Sequence, residues 1–408
     1  MKNFESIKLI CKENSKISAK VIDKCLLYYS AERNNLENEM GQRFASYKHI
    51  THKLQEEWIN LLKTQYFVHK VFKKDGLIKS YLIRTSLKKF DIKERNWLEF
   101  QAKQAWSFSF SIVKNRPAES FFLMEDVFSH QEFLLYSPGV AKTLEDQSII
   151  LWLNLISYNG KCWQSFGPIG AYKSFDPDDI FFFATELKPD IADEQELMAN
   201  LEHNPVPYMM LLSGANYPLT YNKGDQLIHV SAEYDLETIN TKSLTKSFKT
   251  EYNKGVYRLS LKRWSEPPHF SQAYFDENKK IILLTSMTER GFKALAEGLN
   301  AYGYNFSADP FIRVNLSMII TASDILKRKI MRNEYEDLFS IATAQPDQEN
   351  LDKLNTLIRL VMPDINAGRK PDIKALALQA GVDIKTAQDL IKQIMGKFND
   401  MDNRMRNR

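Results

Sequence analysis

Between Ser107 and Phe166 the chain passes through five short strand-like stretches separated by turn residues, and this succession limits the fold more than any other feature. Ser107-Phe108-Ser109-Phe110-Ser111-Ile112 alternates with period two, the pattern of a half-buried strand. Phe121–Val127, Glu132–Tyr136, Ile149–Ser157 and Cys162–Phe166 follow, broken by Ser137-Pro138-Gly139 and Asn159-Gly160. Asn-Gly between two such runs is a strong hairpin signal. Five strands packed so closely predict a small antiparallel barrel or sandwich.

The flanks have other periods. Phe4 to Phe72 contains no Pro and one Gly (Gly41), with Trp58, Leu61, Leu62 and Phe67 at helical intervals. Lys73-Lys74-Asp75-Gly76 reads as a turn, and Asp91 as the N-cap of a helix through Trp97, Phe100 and Trp106. Residues 175–204 are acidic and helical, ending at Asn204-Pro205. Beyond Pro207, Gln226–Tyr234 alternates as a strand, Leu236–Glu251 suits a helix, and Val256–Trp264 alternates again. Ser271–Asp276 and Ile281–Ser286 make a hairpin, and Thr288 opens a helix carrying Phe292, Leu295, Leu299 and Tyr302. That order predicts helices against one sheet face. A further helix is expected around Thr321–Asn333.

At 408 residues the chain is long enough for two or three domains. The expectation is an α+β, multi-domain protein with a helical basic region over 1–106 and a small antiparallel β unit with an acidic helical end over 107–204. An α+β sandwich over 205–330 and a helical unit over 331–408 complete it.

Composition excludes several classes. The longest apolar runs, such as Ile149–Leu153, are far too short to cross a membrane, so no membrane partner is expected. Met1 to Ser6, followed by Lys8 and Lys12, is not a secretory hydrophobic region. Cys11, Cys25 and Cys162 are odd in number and lack CxxC spacing, which predicts reduced thiols, a cytoplasmic location and no structural zinc. His49 and His52 share a helix face, but Lys53, Leu54 and Gln55 complete no metal motif.

Charge is uneven. Residues 1–100 hold 20 Lys/Arg against 12 Asp/Glu, and residues 101–200 hold 7 against 14. A basic first quarter either meets an anionic partner or docks on the acidic second quarter. Tyr66, Phe67 and Phe72 with Lys63, Lys70, Lys73 and Lys74 mix aromatic and basic residues, as a nucleic-acid surface or a core with a charged rim would.

Catalytic motifs are weak. Gly167-Pro168-Ile169-Gly170-Ala171-Tyr172-Lys173-Ser174 has Tyr172 where a phosphate loop needs Gly, and reads as a connecting loop. Asp176-Pro177-Asp178-Asp179 could hold Mg²⁺ in a metal-dependent hydrolase, but also makes a good helix start. Ser213-Gly214-Ala215 lacks the flanks of a nucleophile elbow. No catalytic residue, cofactor or metal is assigned, and the chain reads as a binding protein rather than an enzyme.

Two resemblances bear on function. Phe122–Phe133, Gln147–Gln164 and His229–Tyr302, above all the run Ile281 to Arg290, resemble uncharacterised bacterial proteins that often end in a SEC-C zinc motif. No Cys follows Cys162, so that motif is absent here. Near the C-terminus, Ile373 to Val382 followed by Asp383 to Ile391 resembles a helix-turn-helix unit. Ala377 supplies the small residue where helices cross, and Gly381 the turn. Leu376, Ala380, Val382 and Leu390 supply the core, while Ala387 stands where a larger branched residue is usual.

The resemblance implies nucleic-acid contacts from Arg369, Lys370, Lys385, Thr386, Gln388, Lys392 and Gln393. Asp383 would cap the second helix, and Asp383 and Asp389 would oppose a phosphate surface. The expected partner is DNA, RNA or a nucleoprotein; a protein-only scaffold or adaptor is the alternative.

Overall fold

The computed structural model describes residues 4–22, 35–83, 90–339, 353–354, 356–357, 360–361, 364, 371–388 and 390–392. The protein has an α+β, multi-domain fold, and its chain divides into compact units at 1–335 and 336–408.

The first unit begins with helices α1 (Phe4–Val21), α2 (Leu36–Ala45), α3 (Glu56–Phe72) and α4 (Ile92–Gln101). Asp91 caps α4 as its residue type predicts: its carboxylate accepts from Glu94 N, and Glu94 accepts in return from Asp91 N. Tyr66, Phe67 and Phe72 are buried, so the aromatic members of that mixed cluster belong to the core.

Five strands follow: β1 (Ser107–Ala118), β2 (Phe121–Asp126), β3 (Glu132–Tyr136), β4 (Leu151–Tyr158) and β5 (Trp163–Tyr172). They close a barrel in the order β1-β2-β3-β5-β4. Every pairing is antiparallel except β3 with β5, a parallel seam of Leu135↔Trp163 and Tyr136↔Gln164. Asn159-Gly160 makes the expected hairpin between β4 and β5. Gly160 takes φ 91°, and the Asn159 side-chain oxygen accepts from Lys161 N and Cys162 N.

Three local expectations change. Ser137-Pro138-Gly139 is no plain turn: Ser137 Oγ accepts from Val140 N and opens helix α5 (Pro138–Asp146), with Pro at a position where its missing N–H costs nothing. Gly167–Tyr172 is not a loop but the second half of β5. The β4–β5 register shifts between Leu153 and Leu155, and Gln65 Nε2 donates to Phe166 O and Pro168 O, so Gly and Pro mark an irregularity in the strand. Ser107–Ile112 is a strand buried on both faces. Phe108 and Phe110 pack outward against the helices, whereas Ser109 and Ser111 share the face of Asn154 and Trp152 inside the barrel.

The barrel interior is filled by Phe122, Met124, Leu135, Trp152 and Ile156, with Val140 and Ala141 of α5 across one opening. The outer face belongs to a larger core, in which Phe108, Phe110, Leu151 and Leu153 meet Val68, Phe72, Trp97 and Trp106. His69, fully buried on α3, bonds Glu202 Oε2 at 2.6 Å, and Glu202 Oε1 accepts from Phe108 N, which pins the start of β1. Helices α6 (Pro177–Leu187) and α7 (Glu194–His203) complete this layer.

The N-terminal basic residues do not dock mainly by charge. Among the described residues Lys70, Lys20 and Lys93 pair with Glu39, Glu94 and Glu13 of their own region, and Lys8–Glu119 is the pair that reaches the acidic quarter. Apolar burial joins the two.

A short ribbon of β6 (Tyr221–Asn222) and β7 (Asp225–Gln226) comes next. Six further strands are β8 (Ile228–Asp235), β9 (Phe248–Asn253), β10 (Val256–Leu261), β11 (Gln272–Asp276), β12 (Ile281–Ser286) and β13 (Ile312–Asn315). They form an antiparallel sheet in the order β13-β8-β12-β11-β10-β9. Helix α8 (Glu289–Asn300), capped by Thr288, buries Phe292, Leu295 and Leu299 against Val230, Leu259, Phe275 and Leu284. The helix expected over Leu236–Glu251 reduces to the turn Thr241–Leu244, because residues 248–253 pair with β10 across Lys254-Gly255 and pairing overrides local preference. The helix expected at Thr321–Asn333 runs earlier, as α9 (Leu316–Leu326), and stops where Lys327 turns left-handed.

Trp106 lies at the junction of helices and barrel. It stacks on Phe72 at 4.8 Å, lies edge-on to Trp97 at 6.4 Å and donates from Nε1 to Gln101 at 2.6 Å. Trp106→Ala should cost about 3–5 kcal/mol in urea unfolding. A loss under about 1 kcal/mol would mean the aromatic group does not carry this junction.

Candidate functional site

The second unit is described through its C-terminal helices and a few residues before them. Helix α10 (Ile373–Ala380) starts at Asp372, whose carboxylate accepts from Ala375 N. It ends in a paired closure: Val382 N donates to Ala377 O and Gly381 N to Leu378 O, with Gly381 at φ 67°. A left-handed residue is needed there, and glycine alone adopts it without strain. Asp383 starts the next helical stretch, residues 384–388 and 390–392, by accepting from Thr386 N at 2.9 Å and Thr386 Oγ1 at 3.1 Å. These bonds, with Lys385 adjacent, hold the Asp383 carboxyl below its ordinary range.

Ala377, Ala380, Ala387 and Ile391 are buried with Leu357 and Val361, and Leu376, Val382 and Leu390 border them. Lys385, Thr386, Gln388 and Lys392 are exposed. Lys385, Gln388 and Lys392 recur at intervals of three and four, which places them on one side of a helix whose other side buries Ala387 and Ile391. The Thr386 hydroxyl is engaged by Asp383. Arg369, Lys370 and Gln393 lie outside the described residues. The sequence reading missed two exposed apolar side chains, Leu378 at 84% and Ile384 at 45%. An apolar residue inside a helical pattern carries no local sign of which way it faces.

The other candidates resolve into structural roles. Asp176 caps α6 by accepting from Asp179 N, and Asp179 accepts from Asp176 N in return. Asp179 is also a clamp on β13, accepting from Asn315 N and Asn315 Nδ2, each at 2.7 Å. Burial pushes its carboxyl up to about 7 and the Asp176 charge adds to this, while the Asn315 donors pull it back. Asn315 lies 136 residues from Asp179, so no local pattern announces it. His49 bonds the backbone oxygen of Asp324, and His52 that of Lys48. Among the described residues no three His, Cys, Asp or Glu side chains gather so as to hold a metal ion, and no helix is long and apolar enough to cross a membrane.

No protein-family model matches the chain, and no curated protein or solved structure is significantly similar to it.

Two outcomes follow from these local geometries. Gly381→Val places a β-branched residue at positive φ and should destabilise the helix pair by about 1–2 kcal/mol. Amide exchange in 373–388 would report this, and unchanged protection would remove the turn's claim to need glycine. Asp179 binds a proton more readily folded than unfolded, where its carboxyl titrates near 3.8. The group therefore makes the fold less stable as pH rises from about 4 to about 7. Asp179→Asn should flatten that part of the urea-midpoint profile, and an unaltered slope would assign the pH dependence to another group.

Proposed function

We propose that the protein is a non-enzymatic binding protein that contacts nucleic acid, alone or within a nucleoprotein, through the helix that follows Asp383. One observation supports this reading above others. Lys385, Gln388 and Lys392 stand exposed on one side of that helix, and neither lysine is in an ion pair with a described residue. Lysines so placed neutralise phosphates, and a glutamine amide between them matches the paired donor and acceptor of an adenine edge. Arg369, Lys370 and Gln393 join the proposed surface from their positions in the sequence. Thr386 acts through the cap rather than by touching bases. The likeness to SEC-C-linked bacterial proteins adds no ligand to this reading.

A protein-only adaptor is the second reading, favoured by the exposure of Leu378 and Ile384, since apolar side chains on a short helix suit a protein groove. Salt separates the two. Titration against mixed DNA and RNA fragments at about 50 and about 200 mM salt should weaken binding about tenfold or more if phosphates are contacted. Lys385→Glu with Lys392→Glu should abolish that binding with the melting temperature unchanged. Absence of binding at the lower salt would discard the nucleic-acid reading, and retained binding in the double variant would move the site elsewhere.

A further inference from the structure

Cys11 on α1 and Cys162, just before β5, lie 151 residues apart in sequence, yet their sulfurs are 3.4 Å apart. No disulfide joins them, and they are 0% and 1% exposed. Buried cysteines often serve as plain apolar packing, and Phe4, Ile7, Phe121 and Tyr136 do wall this pair on one side. The other side is polar. Asn159 Nδ2, held by the hairpin, approaches Cys11 Sγ at 3.2 Å and Cys162 Sγ at 3.6 Å. Gln164 accepts from the same Asn159 amide and donates to the backbone oxygen of Cys11. Packing alone does not bring an amide donor to two sulfurs at once; a donor so placed stabilises a thiolate on either.

Access is short. A cleft of about 330 Å³ between α1, α3 and the barrel is lined by Asn14, Ser15, Ser18, Trp106, Gln164 and Ser165. Gln164 is therefore a wall of the cleft on one side and a partner of the Asn159–cysteine group on the other.

We propose that Cys11 and Cys162 are an oxidation site, a dithiol that a peroxide converts to a disulfide and that then fastens α1 to the barrel. Asn159 Nδ2 stands closer to Cys11 Sγ than to Cys162 Sγ, which makes Cys11 the attacking sulfur; the Cys162 hydrogen bond, opposed by burial and aided by Asn159, also lowers the Cys11 thiol. Its electron pair attacks one peroxide oxygen and the O–O bond breaks. The departing hydroxide takes up the proton released by the Cys11 thiol and leaves as water, so Cys11 becomes a sulfenic acid. Cys162 sulfur then attacks Cys11 Sγ, the S–O bond breaks, and the hydroxyl leaves with the Cys162 proton as a second water. Two thiols lose two electrons and two protons, and the peroxide gains them. A disulfide needs sulfurs about 2.0 Å apart, so the closing movement is on the order of 1.4 Å.

The test uses the full chain carrying Cys25→Ser, so that only these two thiols remain. After treatment with hydrogen peroxide, non-reducing peptide mapping should yield one cross-linked peptide joining Cys11 to Cys162 within one molecule. The melting temperature should rise by roughly 5 °C and fall back with dithiothreitol, as expected for closing so long a loop. Amide exchange in residues 4–21 should slow at the same time. Cys162→Ser should abolish the cross-link and leave Cys11 as its sulfenic or sulfinic acid, and Asn159→Ala should slow formation several-fold. Two thiols still open to alkylation after peroxide and denaturation would overturn the proposal, as would cross-links between molecules instead of within one.

Discussion

Everything in the first unit hangs on a surface used twice: the outer face of the barrel is also the floor of the helical layer. Phe108, Phe110, Leu151 and Leu153 would be solvent-facing in a free barrel, and here they are buried beneath α3, α4 and α6. Each such side chain contributes about 1.5–3 kcal/mol by leaving water, so neither layer keeps its dry face without the other. The His69–Glu202–Phe108 chain of hydrogen bonds reinforces the junction by satisfying the Phe108 amide at the start of β1.

The same economy joins the sheet to this body. Strand β13 pairs with β8 along one edge, while its Val314 belongs to the core of helices and barrel and its Asn315 is gripped by Asp179. Ser174 and Ser317 bond within the same seam. A carboxylate placed at a helix start thereby does two jobs, ending one helix and holding a strand. This accounts for an acidic cluster that by composition alone could equally be read as a metal site. The lesson for the C-terminal helices is parallel, since Thr386 looks like a surface polar residue and is committed to the Asp383 cap.

What the sequence made legible was local. Alternation and Asn159-Gly160 announce the strands and their hairpin, Asp91 and Thr288 announce helix starts, and Gly381 announces the reversal of the last helices, because each acts on backbone within a few residues. What failed was decided from a distance. The serines of β1 look like the wet side of a strand, but the barrel closes over them; residues 248–251 look helical until β10 pairs with them. Asn315 opposite Asp179, and Cys11 opposite Cys162, meet across more than a hundred residues and leave no trace in spacing. In the C-terminal unit the turn and caps were readable, whereas the outward turn of Leu378 was not, since its apolar character fits the buried stripe equally well.

The barrel is closed by its narrowest pairing, two residue pairs between β3 and β5, and α1 lies over the residues beside it: Phe4 against Phe121, Asn14 bonded to Gln164. The ribosome makes the cover first and completes its seat last. Helix α1 emerges long before Cys162 and Gln164; its apolar side meets Phe121 and Tyr136 first, and the polar end of its seat comes only with the fifth strand. A nascent chain halted before β5 would therefore carry a cover whose seat is half built.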